Sequence, residues 1–182
     1  MERLREVLAF VNHKGGVGKT TTVQSLAAGL RRFGKGSFGE DVDGHHRLPR
    51  VLIIDLDPQA CASFLFGWSE TQNVGKPTVY DALVQQSNLP IYQVREGIYL
   101  APAASRLISI EPFLNQRAVP RKVLYRLLAK PLNELEGTEL ADEGVTTVTE
   151  AFDYVLIDCP PAMSLLTYNA LTAATSVVLP VQ

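Results

Sequence analysis

Short continuous apolar runs alternate along this chain with segments whose apolar residues recur at helical spacing. Val7–Val11 is the first such run. A strand with one wet face would alternate apolar and polar residues, so an unbroken run predicts a strand buried on both faces. After a glycine-rich turn, Val23, Leu26, Ala27 and Leu30 follow at i, i+3, i+4 and i+7, the apolar stripe of a helix over Lys19–Phe33. Val51–Leu56, Ile98–Ala101, Tyr154–Ile157 and Val177–Val181 repeat the strand pattern; Val79–Gln85, Val119–Lys130 and Leu165–Ala174 repeat the helical one. Strands alternating with helices predict right-handed βαβ units. The expected fold class is α/β: a doubly wound, mainly parallel sheet with helices on both faces.

Two segments break the pattern. Gly34–Pro49 has no period and holds four glycines, which predicts a loop insertion between the first helix and the second strand. It is long for a connection that usually takes roughly two to six residues. Gly137–Val148 is polar and acidic.

Composition narrows the class without naming a function. A length of 182 residues suits a single domain over 1–182, and 46% hydrophobic with 20% charged residues is a globular balance. The net charge of −2 advertises neither nucleic acid nor an anionic membrane, so such a partner must be met by a local patch. No apolar run approaches the roughly 18 residues of a membrane span, and the charged start is followed by too short an apolar run for a signal peptide. Cys61 and Cys159 lie far apart without metal-ligand spacing and are expected to be reduced thiols of a cytoplasmic protein.

Three motifs carry chemistry. Lys14, Gly15, Gly16, Val17, Gly18, Lys19 and Thr20 sit between a predicted strand and a predicted helix. A loop there turns successive N–H groups inward, and the helix N-terminus adds partial positive charge, which together cradle phosphate. Glycines let the backbone approach phosphate oxygens and adopt positive φ. Lys19 is expected to reach the β- and γ-phosphates of ATP, Thr20 to ligate Mg²⁺, and Thr21 to complete the phosphate-binding set. Asp55 and Asp57, at the end of the second strand, face the crevice where such sheets bind ligands. While the strand persists the two share one orientation and address metal and attacking water together; the alternative is that either caps a following helix. The run Tyr154–Ile157 ends in Asp158, a position that holds Mg²⁺ through water.

The form KGGVGKT, with His13 where a glycine usually opens the motif and Lys14 as a second lysine, resembles the deviant Walker A loop of the ParA/MinD family of partitioning and positioning ATPases. DLDPQA at Asp55–Ala60, DCPP at Asp158–Pro161 and the following SLLTYNALTAATSVVLPVQ are similar to the ParA branch. The resemblance implies a P-loop ATPase with ATP and Mg²⁺ as cofactors. It implies that Lys14 crosses to the nucleotide of a second subunit, that Asp57 orients the hydrolytic water and that Asp55 supports the metal shell. Lys14, Lys19 and Asp57 would then be the catalytic set, and Thr20, Asp55 and Asp158 the metal set. The implied partners are a second copy in the ATP state, a ParB-like stimulating protein and non-specific DNA; no membrane role is evident, and the implied location is the nucleoid. Family members continue beyond the position of Gln182, so the chain is expected to lack a C-terminal part. Two rivals remain: a non-hydrolysing DNA-associated regulator, and a metabolic ATP-dependent enzyme on the same scaffold.

Weaker signals have two readings each. Asp41, Asp43, His45 and His46 are either a metal site or solvated loop residues. Lys122, Arg126 and Lys130 recur at i, i+4 and i+8 beside Arg121, as either a solvated helix face or a row of phosphate contacts to DNA. Trp68, Phe64, Leu65 and Phe66 belong to the core or to a dimer contact.

Overall fold

The computed structural model describes residues 6–33, 48–130 and 147–181. The histidine and aspartate cluster of the predicted insertion, and nearly all of the acidic segment, fall outside these residues. Strands β1 (Glu6–Phe10), β2 (Val51–Asp55), β3 (Tyr92–Arg95), β4 (Ile98–Ala101), β5 (Tyr154–Asp158) and β6 (Ser176–Val178) form one sheet in the order β3-β4-β2-β5-β1-β6. All neighbours are parallel except β3, which pairs antiparallel with β4. The fold is therefore α/β with a mostly parallel sheet, as the alternation of elements predicts.

Each central strand feeds two cores. Leu52 and Ile54 of β2 join Val7, Ala9, Val155 and Ile157 on one face, while Val51 and Ile53 join Phe10 and Leu156 on the other. Full burial of such a side chain is worth about 1.5–3 kcal/mol relative to exposure, which is why these runs carry no polar residue before their ends. Helix α1 (Lys19–Phe33) and the short α2 (Cys61–Leu65) cover the second face through Val23, Ala27 and Ala62. The first face is covered by α3 (Val79–Gln85), α4 (Glu111–Asn115), α5 (Val123–Leu128), α6 (Val148–Ala151) and α7 (Leu165–Ala173).

The structure departs from the sequence reading in the middle of the chain. β3 is a half-buried strand that alternates, too short to read from pattern alone. It turns back through Gly97, whose φ of 68° suits glycine. The helix expected over Val119–Lys130 is a 3₁₀ turn at Pro120–Lys122 followed by α5, because Pro120 supplies no N–H to continue a ladder behind it. The last strand ends at Val178, ahead of Pro180, rather than at Val181.

Chain order places the functional end of the sheet. β1 is followed by β2, which lies on the far side of β5, so the C-terminal ends of β1, β5 and β2 open onto one crevice. Asp55 and Asp158 are register partners across β2 and β5, and Phe10 pairs with Asp158 across β1 and β5.

Candidate functional site

The loop between β1 and α1 is built as a cradle. Gly16 and Gly18 hold φ of 74° and 87°, a region that disfavours any side chain. A Cβ placed on Gly15 or Gly16 meets nothing within 4 Å, so the loop borders open space at both positions. Val17 is buried and anchors the loop from below. Lys19 is 7% exposed and spans the loop, its ammonium donating to the carbonyls of Asn12 (3.2 Å) and Lys14 (3.3 Å). Thr22 closes the first helical turn with hydroxyl and amide bonds to the Gly18 carbonyl at 2.7 and 2.8 Å. Lys14 and Thr21 are exposed.

Asn12 is a site residue that the sequence reading missed. Its side-chain oxygen accepts the Lys14 amide (2.9 Å), and its side-chain nitrogen donates to the carbonyl of Pro180 (2.8 Å). One side chain thus ties the start of the cradle to the segment after β6. An asparagine between apolar strand residues and a glycine loop was the available signal, because a polar residue there needs partners.

The carboxylates lie on the α1 side of the sheet ends. The Thr20 hydroxyl donates to Asp158 Oδ2 at 2.7 Å, while Asp158 Oδ1 is buried without a hydrogen-bond partner. An orphaned buried carboxylate oxygen beside a threonine hydroxyl at the mouth of a phosphate cradle fits a hydrated Mg²⁺, which keeps several waters and few protein ligands. Among the described residues no group of three or more His, Cys, Asp and Glu is placed to hold a metal by itself. The donor set fits a cation that phosphate helps to hold.

Asp55 and Asp57 are not held alike, as strand alternation would have them. The strand ends at Asp55. Asp55 is fully buried; its Oδ2 accepts the amide and hydroxyl of Ser63, both at 2.7 Å, and its Oδ1 accepts the Asp57 amide at 3.1 Å. Asp57 is half-buried; its Oδ1 accepts the Gln59 amide at 2.9 Å, and Oδ2 accepts nothing among the described residues. One aspartate is bound into the scaffold, and the other keeps an oxygen available.

Burial, and then the neighbouring Asp158, raise the Asp55 pKa to about 7 despite its three donors. Burial raises Asp158 to about 6, with Thr20 and Lys19 opposing and Asp57 adding to the rise. Between the unfolded carboxylate value of about 4 and these values, the folded state binds more protons than the unfolded state, so stability falls as pH rises. The melting temperature of nucleotide-free protein is expected to drop between pH 5 and about 7, and less so for Asp55→Asn. Parallel melting curves for the two proteins would contradict this.

The remaining candidates divide. Trp68 and Phe66 are buried in the core, Trp68 against Tyr92 at 4.4 Å between ring centroids, whereas Phe64 and Leu65 are exposed. Phe64, Leu65 and Trp68 line a cavity of about 700 Å³ that also touches Thr20 and Thr21. The basic row is broken. The Arg121 guanidinium lies 4.5 Å from the Tyr168 ring centroid and Lys130 donates to the Gln86 carbonyl, while Arg121, Lys122 and Arg126 are exposed, Arg126 on a separate element. Both cysteines are free thiols; burial pushes the Cys159 pKa up, which leaves it inert. No described helix is long and apolar enough to cross a membrane.

ParA, the chromosome partitioning protein of Caulobacter vibrioides, is 36% identical over 97% of this chain and 55% of its own length. Soj, a sporulation initiation inhibitor protein of Bacillus subtilis, is 35% identical over 97% of this chain and 58% of its own. The chain thus spans little more than half the length of these relatives. A structure of cobyrinic acid a,c-diamide synthase from Mycobacterium smegmatis with bound ADP and magnesium superposes with a TM-score of 0.74 at 35% identity, over 97% of this chain and 60% of that one. The AAA_31 model, described as an AAA domain, matches residues 5–182, and the chain belongs to that family, with ParA and Soj proteins among its relatives.

Proposed function

We propose that the protein is a Mg²⁺-dependent ATPase of plasmid or chromosome partitioning that dimerises around ATP. The observation that carries this reading is the Thr20–Asp158 bond beside an unpartnered buried Asp158 oxygen, set at the mouth of an open glycine cradle that Lys19 spans. The relative named chromosome partitioning protein ParA supports the partitioning role, and a similar structure holding ADP and magnesium supports the ligand.

In this reading the loop amides and the end of α1 receive the β- and γ-phosphates, and Lys19 exchanges its carbonyl partners for phosphate oxygens. Thr20 and Asp158 would hold Mg²⁺, which would supply charge neutralisation across the phosphates. Asp57 orients a water toward the γ-phosphate with its available oxygen. Asp55, with both oxygens engaged, supports this arrangement by anchoring the loop. Lys14, exposed at the rim, reaches the nucleotide of a second copy and stabilises the charge of the departing phosphate. ATP then joins two copies and hydrolysis parts them, on DNA and under a ParB-like stimulator, in the cytoplasm at the nucleoid. Arg121, Lys122 and Arg126 are the exposed cations of the expected basic row that remain for DNA.

Phosphate release from ATP by the purified protein, dependent on Mg²⁺ and abolished by EDTA, tests this directly. ATP binding without release points to a non-hydrolysing regulator. The likeness to a cobyrinic acid a,c-diamide synthase favours a second reading, in which turnover depends on a carboxylic acid substrate. Hydrolysis unchanged by cobyrinic acid counts against it.

A further inference from the structure

Asp57 is held by hydrogen bonds from residues outside the phosphate cradle. Its amide donates to Asp55 Oδ1, and the rotation of the Asp55 carboxylate is set by Ser63 of α2. Ser63 is 1% exposed, and its hydroxyl also accepts the Ala103 amide at 2.9 Å, just beyond β4. That amide can only donate, so the single hydroxyl proton is committed to Asp55. The direction of the chain follows: Ala103 N–H to Ser63 Oγ, Ser63 O–H to Asp55 Oδ2, and Asp57 N–H to Asp55 Oδ1. Three elements of the fold converge on one carboxylate.

The backbone between Asp57 and α2 adds a second constraint. Ala60 holds φ 52° and ψ 33°, left-handed without a glycine's freedom. Its amide donates to the Asp57 carbonyl at 2.8 Å, and its carbonyl accepts the Phe64 amide at 2.9 Å. Such a conformation persists only where the surroundings over-determine it. Here the surroundings are Asp55 on one side and α2 on the other, and Ser63 joins them.

We propose that Ser63 is a positioning residue for ATP hydrolysis: through Asp55 it fixes where the Asp57 carboxylate stands relative to the γ-phosphate. The inference rests on the hydrolase reading above and names the residue that makes Asp57 effective. Ser63 is buried and its hydrogen bonds run to Asp55 and Ala103, not to the cradle, so its loss should leave binding alone and misplace the water. A small misplacement is enough to slow a reaction by about 100-fold.

The test compares wild type with Ser63→Ala, Ser63→Thr and Ser63→Cys. Steady-state turnover, affinity for a non-hydrolysable ATP analogue, melting temperature and hydrogen exchange over residues 55–63 without nucleotide are measured. Ser63→Ala is expected to lower kcat by about 10- to 100-fold while affinity changes by less than about 3-fold. Threonine, which keeps the hydroxyl, should restore turnover and slow exchange at Asp57; alanine should not. If alanine prevents folding, cysteine, a weak donor of similar size, must show the same loss of kcat with binding kept. Unchanged kcat in Ser63→Ala overturns the proposal, as does a loss of affinity in step with kcat and stability, or a folded threonine variant that stays slow. A wild type that binds the analogue but releases no phosphate refutes the hydrolase reading alone. Exchange then decides the positioning: faster exchange at Asp57 in the alanine variant supports it, and equal exchange overturns it.

Discussion

Replacing Lys19 with alanine is expected to abolish ATP binding while leaving the fold in place. The ammonium is nearly buried and donates to two loop carbonyls, those of Asn12 and Lys14. Hydrogen bonds to a charged group contribute about 1.5–3 kcal/mol each, so losing the phosphate contacts removes about 3 kcal/mol or more, at least about 100-fold in Kd. Stability should change little, by about 1 kcal/mol, because Lys14 is exposed and its freed carbonyl can turn to water. Titration calorimetry with ATP and Mg²⁺ reads the first effect, and thermal melting reads the second. Binding within a few-fold of wild type would place the phosphates elsewhere.

Replacing Asp57 with alanine should give the opposite division. Asp57 holds one oxygen in a turn with Gln59 and keeps the other available, so its removal leaves the cradle intact. A general base or water-orienting group contributes about 10²–10⁴-fold, which is the expected loss in turnover. Affinity for ATP should hold or improve, since one negative charge near the phosphates disappears. The same charge helps to raise the Asp158 pKa, so that value should fall in the variant. Equal turnover by the two proteins would remove Asp57 from the chemistry.

The central strands and the cradle were legible because each is a local pattern with one physical solution. An unbroken apolar run such as Val51–Ile54 has to be buried on both faces, and the observed strand is. Gly16 and Gly18 stand where positive φ is required. The helix Lys19–Phe33 appears with the boundaries its apolar stripe predicts.

What stayed hidden depends on contacts between residues distant in sequence. No pattern marks Asn12 as the link to Pro180, or Ser63 as the partner of Asp55 and Ala103; those meetings exist only once the sheet order is set. The shared orientation of Asp55 and Asp57 assumed a strand that continues, whereas the chain turns at Asp57 toward α2. The basic row is interrupted for a similar reason. Spacing assumed one continuous helix, but Pro120 opens a 3₁₀ turn, and Arg121 and Lys130 are drawn into contacts with Tyr168 and Gln86.

ATP as a switch between one copy and two is the central claim, and molar mass in solution tests it most directly. Light scattering of the Asp57→Ala protein, which should hold ATP without hydrolysing it, is compared in Mg²⁺ with ATP and with ADP. The expected result is twice the mass with ATP, a single-chain mass with ADP, and no doubling when Lys14→Ala is added although ATP still binds. The same mass in both nucleotides, or doubling that persists without Lys14, would contradict the account.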